Sequence, residues 1–223
     1  MEVVRVIDRI KVVKVDITRL RVDAIVNAAN NDLSDGSGVN GAIHRVAGPA
    51  LLTACKALQG CETGYAKYTY GYLLKAKYVI HTVGPRWHGG KYRESDLLES
   101  CYIESLRVAV QLKCKTVAFP AISCGIYDYP VYQAAEIAIR TILAFLKKDQ
   151  SIKRVLLTCY DPDVYRVYRE IYESYKQQEY KQVADWVKPV KKALSDKAKQ
   201  TKQLLTSVMK NAPTPLLTVK KRL

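Results

Sequence analysis

Three short segments carry residue types suited to holding an anion, a sugar and a base. The first is Asn27-Ala-Ala-Asn30, followed by Asp35-Gly-Ser-Gly-Val-Asn-Gly41. Glycines ahead of a helix let the backbone turn tightly with its amides pointing inward, and the helix N-terminus adds positive potential; together these make a phosphate cradle. The same Gly-x-Gly-x-x-Gly string (Gly36, Gly38, Gly41) also describes a plain tight turn from strand to helix. No Gly-Lys-Ser/Thr follows, so it is not a P-loop, and its Asn-rich lead-in is foreign to a dinucleotide fingerprint. The second segment, Ser123-Cys-Gly-Ile-Tyr-Asp-Tyr-Pro130, again puts Ser and Gly where a strand hands over to a helix. It offers a second set of amides at Ser123, Cys124, Gly125 and Ile126, with Tyr127 free to lie across a sugar face. Its plainer reading is a turn closed by a proline near a helix start. The third, Cys159-Tyr160-Asp161-Pro162, presents Tyr160 either to a base or to the core. Among sixteen tyrosines, one alone decides little.

Elements must hold these segments in place. Val3–Ile7, Lys11–Ile17, Ala24–Asn27, Tyr78–Val83, Thr116–Ile122 and Arg154–Cys159 are rich in β-branched residues and predict strands. Glu94–Gln111 and Tyr132–Leu146 place apolar residues at i, i+3, i+4 and i+7 and predict helices. Gly41–Leu58 has helical spacing broken at Gly48-Pro49, which predicts a bend or two helices. Asp163–Tyr175 predicts a last helix. Strands alternating with helices imply an α/β fold with a mixed, largely parallel sheet between helical layers. Ligand sites in such sheets collect beyond the carboxyl ends of the strands, which is where all three segments fall.

Composition divides the 223 residues in two. The formal net charge is +15, from 36 Lys+Arg against 21 Asp+Glu, and it is uneven. Residues 1–173 hold 24 of the basic and 18 of the acidic side chains, and all eleven glycines; residues 174–223 hold 12 and 3, and no glycine. The tail places Val183, Val187, Val190, Leu194, Ala198, Leu204, Leu205 and Val208 on one helical stripe, with Pro189 as a kink or fresh start, and its end after Asn211 is expected to be disordered. That pattern suits either a basic arm for nucleic acid or an acidic membrane surface, or a helix docked through its stripe on the preceding domain or on a second copy, its lysines merely solvated. No apolar run is long enough for a membrane span, and the first residues lack a signal-peptide layout. Six scattered cysteines without a Cys-x-x-Cys pair argue against a disulfide framework or a zinc knuckle and for a reducing, cytoplasmic interior.

Four blocks, VDAIVNAAN (22–30), GSGVNGAIHRVAG (36–48), TGYAKYTYGYLLKAKYVIHTVGP (63–85) and VAFPAISCGIYDYP (117–130), resemble the macro domain, and within it the MacroD-type branch. The resemblance implies a three-layer α/β/α domain over residues 1–175, with 176–223 as a basic helical extension, and ADP-ribose bound across the ends of the central strands. It implies no required cofactor or metal. By the same resemblance Asp16 and Ile17 meet the adenine, and Asn30 bonds the distal ribose. Gly36, Ser37, Gly38 and Val39 grip the diphosphate together with Ser123, Cys124, Gly125, Ile126 and Tyr127. Tyr127 flanks the distal ribose, and Tyr160 packs on the adenine.

One position departs from the branch. Its hydrolytic members often read Val-Asp-Gly after the glycines, the Asp helping to activate water; here the triplet is Val39-Asn40-Gly41. An amide can position a water but cannot take its proton at neutral pH. Asn30, Asn40 and His44 are therefore the candidates for catalysis, although the place of His44 inside a helix favours a buried, hydrogen-bonded structural histidine. Two functions remain open: hydrolysis of O-acetyl-ADP-ribose or of mono-ADP-ribose on acidic side chains, and a reader that binds ADP-ribose or ADP-ribosylated proteins without turnover. Ser37 stands where the branch usually has glycine, and it would be strained only if that position needs a positive φ.

Overall fold

A computed structural model describes residues 5–210. The chain divides between Gln177 and Gln178 into two units. The first contains a six-stranded sheet in the order β1-β6-β5-β2-β4-β3. Its strands are β1 (Ile10–Lys14), β2 (Ala24–Ala28), β3 (Ala66–Tyr70), β4 (Tyr78–Thr82), β5 (Thr116–Pro120) and β6 (Arg154–Cys159). Five are mutually parallel, and only β3 runs antiparallel, against β4. Helices α1 (Gly38–Ala47), α2 (Pro49–Ala57), α3 (Glu94–Gln111), α4 (Val131–Lys148) and α5 (Pro162–Lys210) complete the fold, the last crossing into the second unit. This is the α/β sandwich that the alternation of patterns implies.

The central strands are apolar on both faces, as a parallel sheet covered twice requires. Ile25, Val26, Val79, Ile80, Val117, Ala118 and Phe119 are fully buried. On α3 and α4 the buried residues recur at helical spacing, Leu98, Cys101, Tyr102, Ser105 and Leu106 on one and Ala134, Ala135, Ala138, Ile142 and Leu146 on the other. Arg9, itself buried, donates to the carbonyls of Leu146, Asp149 and Ile152, so the orphan acceptors at the end of α4 find a charged donor.

Several boundaries differ from expectation. Residues 6–9 form a 3-10 turn rather than the end of a strand; the earlier part of that expected strand lies outside the described residues. β1 stops at Lys14, because Asp16 caps a second 3-10 turn, Ile17–Arg19, by accepting from the Thr18 amide at 2.9 Å. The expected break is real: Gly48, at φ 81°, separates α1 from α2, and Pro49 opens the second helix. β3 has no sequence-based counterpart above. α5 does not restart at Pro189. The expected stripe lies on this helix, but of its side chains only Ala198, which is exposed, is described, and the chain after Lys210 lies outside the described residues.

Candidate functional site

Two cavities in the first unit meet at the carboxyl ends of the parallel strands. The larger, about 520 Å³, is lined by residues that include Asp16, Ile17, Gly38, Val39, Arg45 and Tyr160. The smaller, about 200 Å³, is lined among others by Asn30, Gly36, Asn40, Ser123, Ile126 and Tyr127. Gly38, Val39, Ala121 and Gly125 belong to both walls, so the two form one cleft with a waist. Every site residue expected from the sequence except His44 lines one cavity or the other.

The waist is built from unused amides. α1 begins at Gly38, whose φ of +60° a glycine adopts without strain. Ser37 before it is extended at φ −105°, so the serine in the glycine's place is unstrained. Among the described residues, the amides of Gly38, Val39 and Asn40 have no acceptor, as expected of a helix's first turn. The opposite wall is different from a helix start. α4 begins only at Val131, and residues 122–127 are turns and bends, with Ser123 at φ 64° and the following Asp128 at φ 52°. The amides of Gly125, Ile126 and Tyr127 likewise have no acceptor among the described residues. Two runs of free N–H donors across a narrow cleft suit a diphosphate, one run backed by a helix dipole and the other by turns.

Two glycines allow the close approaches behind this wall. A Cβ on Gly41 would lie 2.2 Å from the Gly36 carbonyl oxygen. One on Gly84 would lie 2.2 Å from Ser123 Oγ.

At the wider end, one Asp16 oxygen takes both the amide and the hydroxyl of Thr18, at 2.9 and 2.7 Å. The other is 4.0 Å from Arg19 Nε and remains open to a donor from the cleft. Tyr160 is 82% exposed, which sets aside its reading as a core residue. At the narrow end the Arg86 guanidinium sits 4.4 Å above the Tyr127 ring, and the Tyr127 carbonyl accepts from the Trp87 amide at 2.9 Å. Cys124 and Cys159 also line the cleft, yet burial pushes both thiols up to about 12, so neither offers a thiolate at neutral pH.

Asn40 belongs to a polar chain that the sequence did not reveal. Its Oδ1 accepts from Asn27 Nδ2 at 2.8 Å, and its Nδ2 donates to the Ser34 carbonyl at 2.9 Å. Asn27 Nδ2 also lies 3.2 Å from His81 Nδ1, while His81 Nε2 is 3.0 Å from Thr69 Oγ1. For Asn27 to donate, His81 Nδ1 must be bare and Nε2 must carry the proton, donated to Thr69. The chain thus runs from β3 through β4 and β2 to α1. Asn30 closes a separate ring, accepting from the Ser34 amide at 2.9 Å and donating to Ser34 Oγ at 3.0 Å.

His44 stands apart. It is buried, lines neither cavity, and its Nε2 has no partner among the described residues. Burial lowers its pKa, with Asp35 partly opposing. α1 turns this position inward, so His44 is buried as its structural reading expects, but the hydrogen bond that reading also expects is not made at Nε2.

His81 gives a pH prediction. Burial holds its pKa down to about 3, against an ordinary 6.5. Below pH 6.5 the unfolded chain binds a proton that the folded chain refuses until about pH 3. Stability from this group is therefore complete above pH 6.5 and is lost as pH falls, by about 1.4 kcal/mol per pH unit for one proton. Thermal unfolding between pH 7 and 4 should show a shallower pH dependence for His81→Gln than for wild type. Equal slopes would assign acid sensitivity to other groups.

Among the described residues no three His, Cys, Asp or Glu side chains are placed to hold a metal, and no helix is long and apolar enough to cross a membrane.

Known proteins place the fold and cleft in context. A sequence model described as Macro domain matches residues 26–138. A macro domain-containing protein of Methanosarcina mazei is 58% identical over 157 residues, covering 70% of this chain and 84% of that one. An O-acetyl-ADP-ribose deacetylase of Salmonella newport is 51% identical over 167 residues, covering 73% and 93%. The Trypanosoma brucei macrodomain, solved in complex with ADP-ribose, superposes with a TM-score of 0.69 at 39% identity, covering 73% of this chain and 68% of that one.

Proposed function

Since the chain belongs to the macro domain family, we propose that its first 175 residues bind ADP-ribose along the cleft and hydrolyse ester-linked ADP-ribose derivatives there. The observation that carries this reading is the waist, with free amides at 38–40 facing free amides at 125–127. The diphosphate lies there, the adenine in the wider cavity with its exocyclic amine toward the open Asp16 oxygen, and Tyr160 covers the ring. The distal ribose enters the smaller cavity beside Asn30 and Tyr127. A dipole-backed cluster of N–H donors also stabilises negative charge that develops on an ester oxygen.

No carboxylate stands at position 40, and the Asn40 amide is used at both ends. Water in this site is positioned rather than deprotonated by Asn40, and turnover is slow. The ligand's own diphosphate can orient or deprotonate that water in place of a carboxylate. The same observation supports a second reading, a non-catalytic reader that keeps the shape of the site. Timed conversion of O-acetyl-ADP-ribose, and of a protein mono-ADP-ribosylated on acidic side chains, separates the two. Ester loss catalysed above the buffer rate supports hydrolysis; saturable ADP-ribose binding with no rate above buffer leaves the reader.

Tyr160→Ala tests the adenine end. Its exposure means little folding energy is lost. Loss of one base–aromatic stack should weaken ADP-ribose binding by about tenfold. Ribose 5-phosphate, which lacks the base, should bind both proteins alike. Unchanged ADP-ribose affinity would remove Tyr160 from the site.

A further inference from the structure

Because β1, β6, β5, β2 and β4 are parallel, their first residues share one rim of the sheet, at the opposite end from the cleft. Lys77 immediately precedes β4, Lys113 and Lys115 precede β5, Lys153 precedes β6, Arg154 opens it, and Lys75 lies in the turn before Lys77. All six are exposed. Register fixes their order. Thr116 pairs with Arg154, and Ala24 pairs with both Tyr78 and Val117. The Lys153 and Arg154 amides donate to the Lys115 carbonyl at 2.7 and 3.0 Å. Neighbouring strands are about 4.8 Å apart, so these cations form a row along the rim, interrupted at the start of β2.

Three carboxylates stand at the rim, Asp8 before β1, Asp23 before β2 and Asp149 before β6, and the last two are turned to local work. Asp23 Oδ2 accepts from the Lys115 and Thr116 amides and the Thr116 hydroxyl, each at 2.8 Å. Asp149 Oδ1 accepts from the Ser151 amide and hydroxyl. Among the described residues none of the six cations forms an ion pair, unlike Arg19, Arg93, Arg107, Arg140 and Arg166, although Lys153 Nζ donates to the Gln150 carbonyl at 2.8 Å. One end of the row is aromatic. Tyr70, 62% exposed on the last strand of the sheet, stacks on Tyr78 at 5.6 Å and 28°, and Tyr68 meets Tyr78 edge-on at 6.1 Å. Lys77 Nζ lies 5.0 Å from the centre of the Tyr78 ring.

We propose that this rim binds single-stranded nucleic acid, with phosphates along Lys153, Lys115 and Lys77 and a base stacked on Tyr70. The cations alone would attract any polyanion. Exposed Tyr70, already stacked on half-buried Tyr78, selects a partner with flat bases, because base–aromatic stacking adds affinity regardless of sequence. The site is separate from the cleft and does not depend on the function proposed for it.

The test is fluorescence anisotropy of a labelled oligothymidine with the full chain over a range of salt. Three proteins are compared with wild type: Lys77→Gln/Lys115→Gln/Lys153→Gln, Tyr70→Ala, and a tail control with Lys191, Lys192, Lys197 and Lys199 all changed to Gln. Removing three phosphate contacts should flatten the log–log salt dependence by about 2, at roughly 0.7 per contact on a single strand, and weaken low-salt binding by at least about tenfold. Tyr70→Ala should weaken binding with the salt slope unchanged. ADP-ribose binding should be unaffected in both. The proposal is overturned if wild type does not bind, if the tail control takes the whole loss while the rim triple variant keeps wild-type affinity and slope, or if the rim binds phosphatidylserine vesicles in preference to the oligonucleotide.

Discussion

Replacing Asn40 with Asp should accelerate hydrolysis of O-acetyl-ADP-ribose by about 10²-fold or more while lowering thermal stability. The residue lines the narrow cavity and is 5% exposed. Its amide accepts from Asn27 and donates to the Ser34 carbonyl. A carboxylate keeps the first bond and gains a base, worth about 10²–10⁴-fold when positioned against the attacking water. It also loses the second bond and sets an oxygen against the Ser34 carbonyl, at a cost of about 1–3 kcal/mol. Burial raises a carboxyl's pKa, so the variant's rate should climb with pH as the acid ionises. Turnover, its pH profile and Tm together check this. A variant that is less stable and no faster would make position 40 purely structural. Turnover by the variant alone, with none by wild type, would leave the native protein a reader.

Gly41→Ala should weaken ADP-ribose binding by about 10²-fold, although alanine is the better helix former. The added Cβ would meet the Gly36 carbonyl oxygen at 2.2 Å and its carbon at 3.1 Å. Both are backbone atoms, so relief requires the start of α1 and the 36–39 loop to part. Overpacking of this kind costs about 1–3 kcal/mol of stability, and displacement of the amide wall spoils the cleft. Calorimetric titration and a melting curve give the two readouts. Wild-type affinity in the variant would mean that the 36–39 amides do not hold the ligand.

The parts of this molecule legible in its sequence are those governed by local pattern. β2, β4, β5 and β6 are runs of β-branched residues, and α3 was bounded correctly by its periodicity. β3 was illegible because Ala66–Tyr70, an edge strand of alternating Lys, Tyr and Thr, has one β-branched residue and no apolar run. Lys11–Ile17 looked like one strand because nothing in its hydrophobicity shows that Asp16 turns its oxygen onto the following Thr18 amide. In the site, the glycine- and serine-bearing loops stood out by composition. The Asn40–Asn27–His81–Thr69 chain did not, since its links join elements brought together only by the sheet. Likewise, the need for glycine at 84 comes from Ser123, on another loop. The uneven charge marks the tail off from the domain, but the rim is invisible in it, because its cations are spread from Lys75 to Arg154 and aligned only by strand register.

Titrating ¹⁵N-labelled protein with ADP-ribose tests the central claim most directly. Saturable shifts are expected at the Gly38, Val39, Asn40, Gly125 and Ile126 amides, with Asp16 and Tyr160 following the same curve and no change at Lys77, Lys115 or Lys153. Saturable binding that leaves the amides of 38–40 and 125–126 unmoved would contradict it.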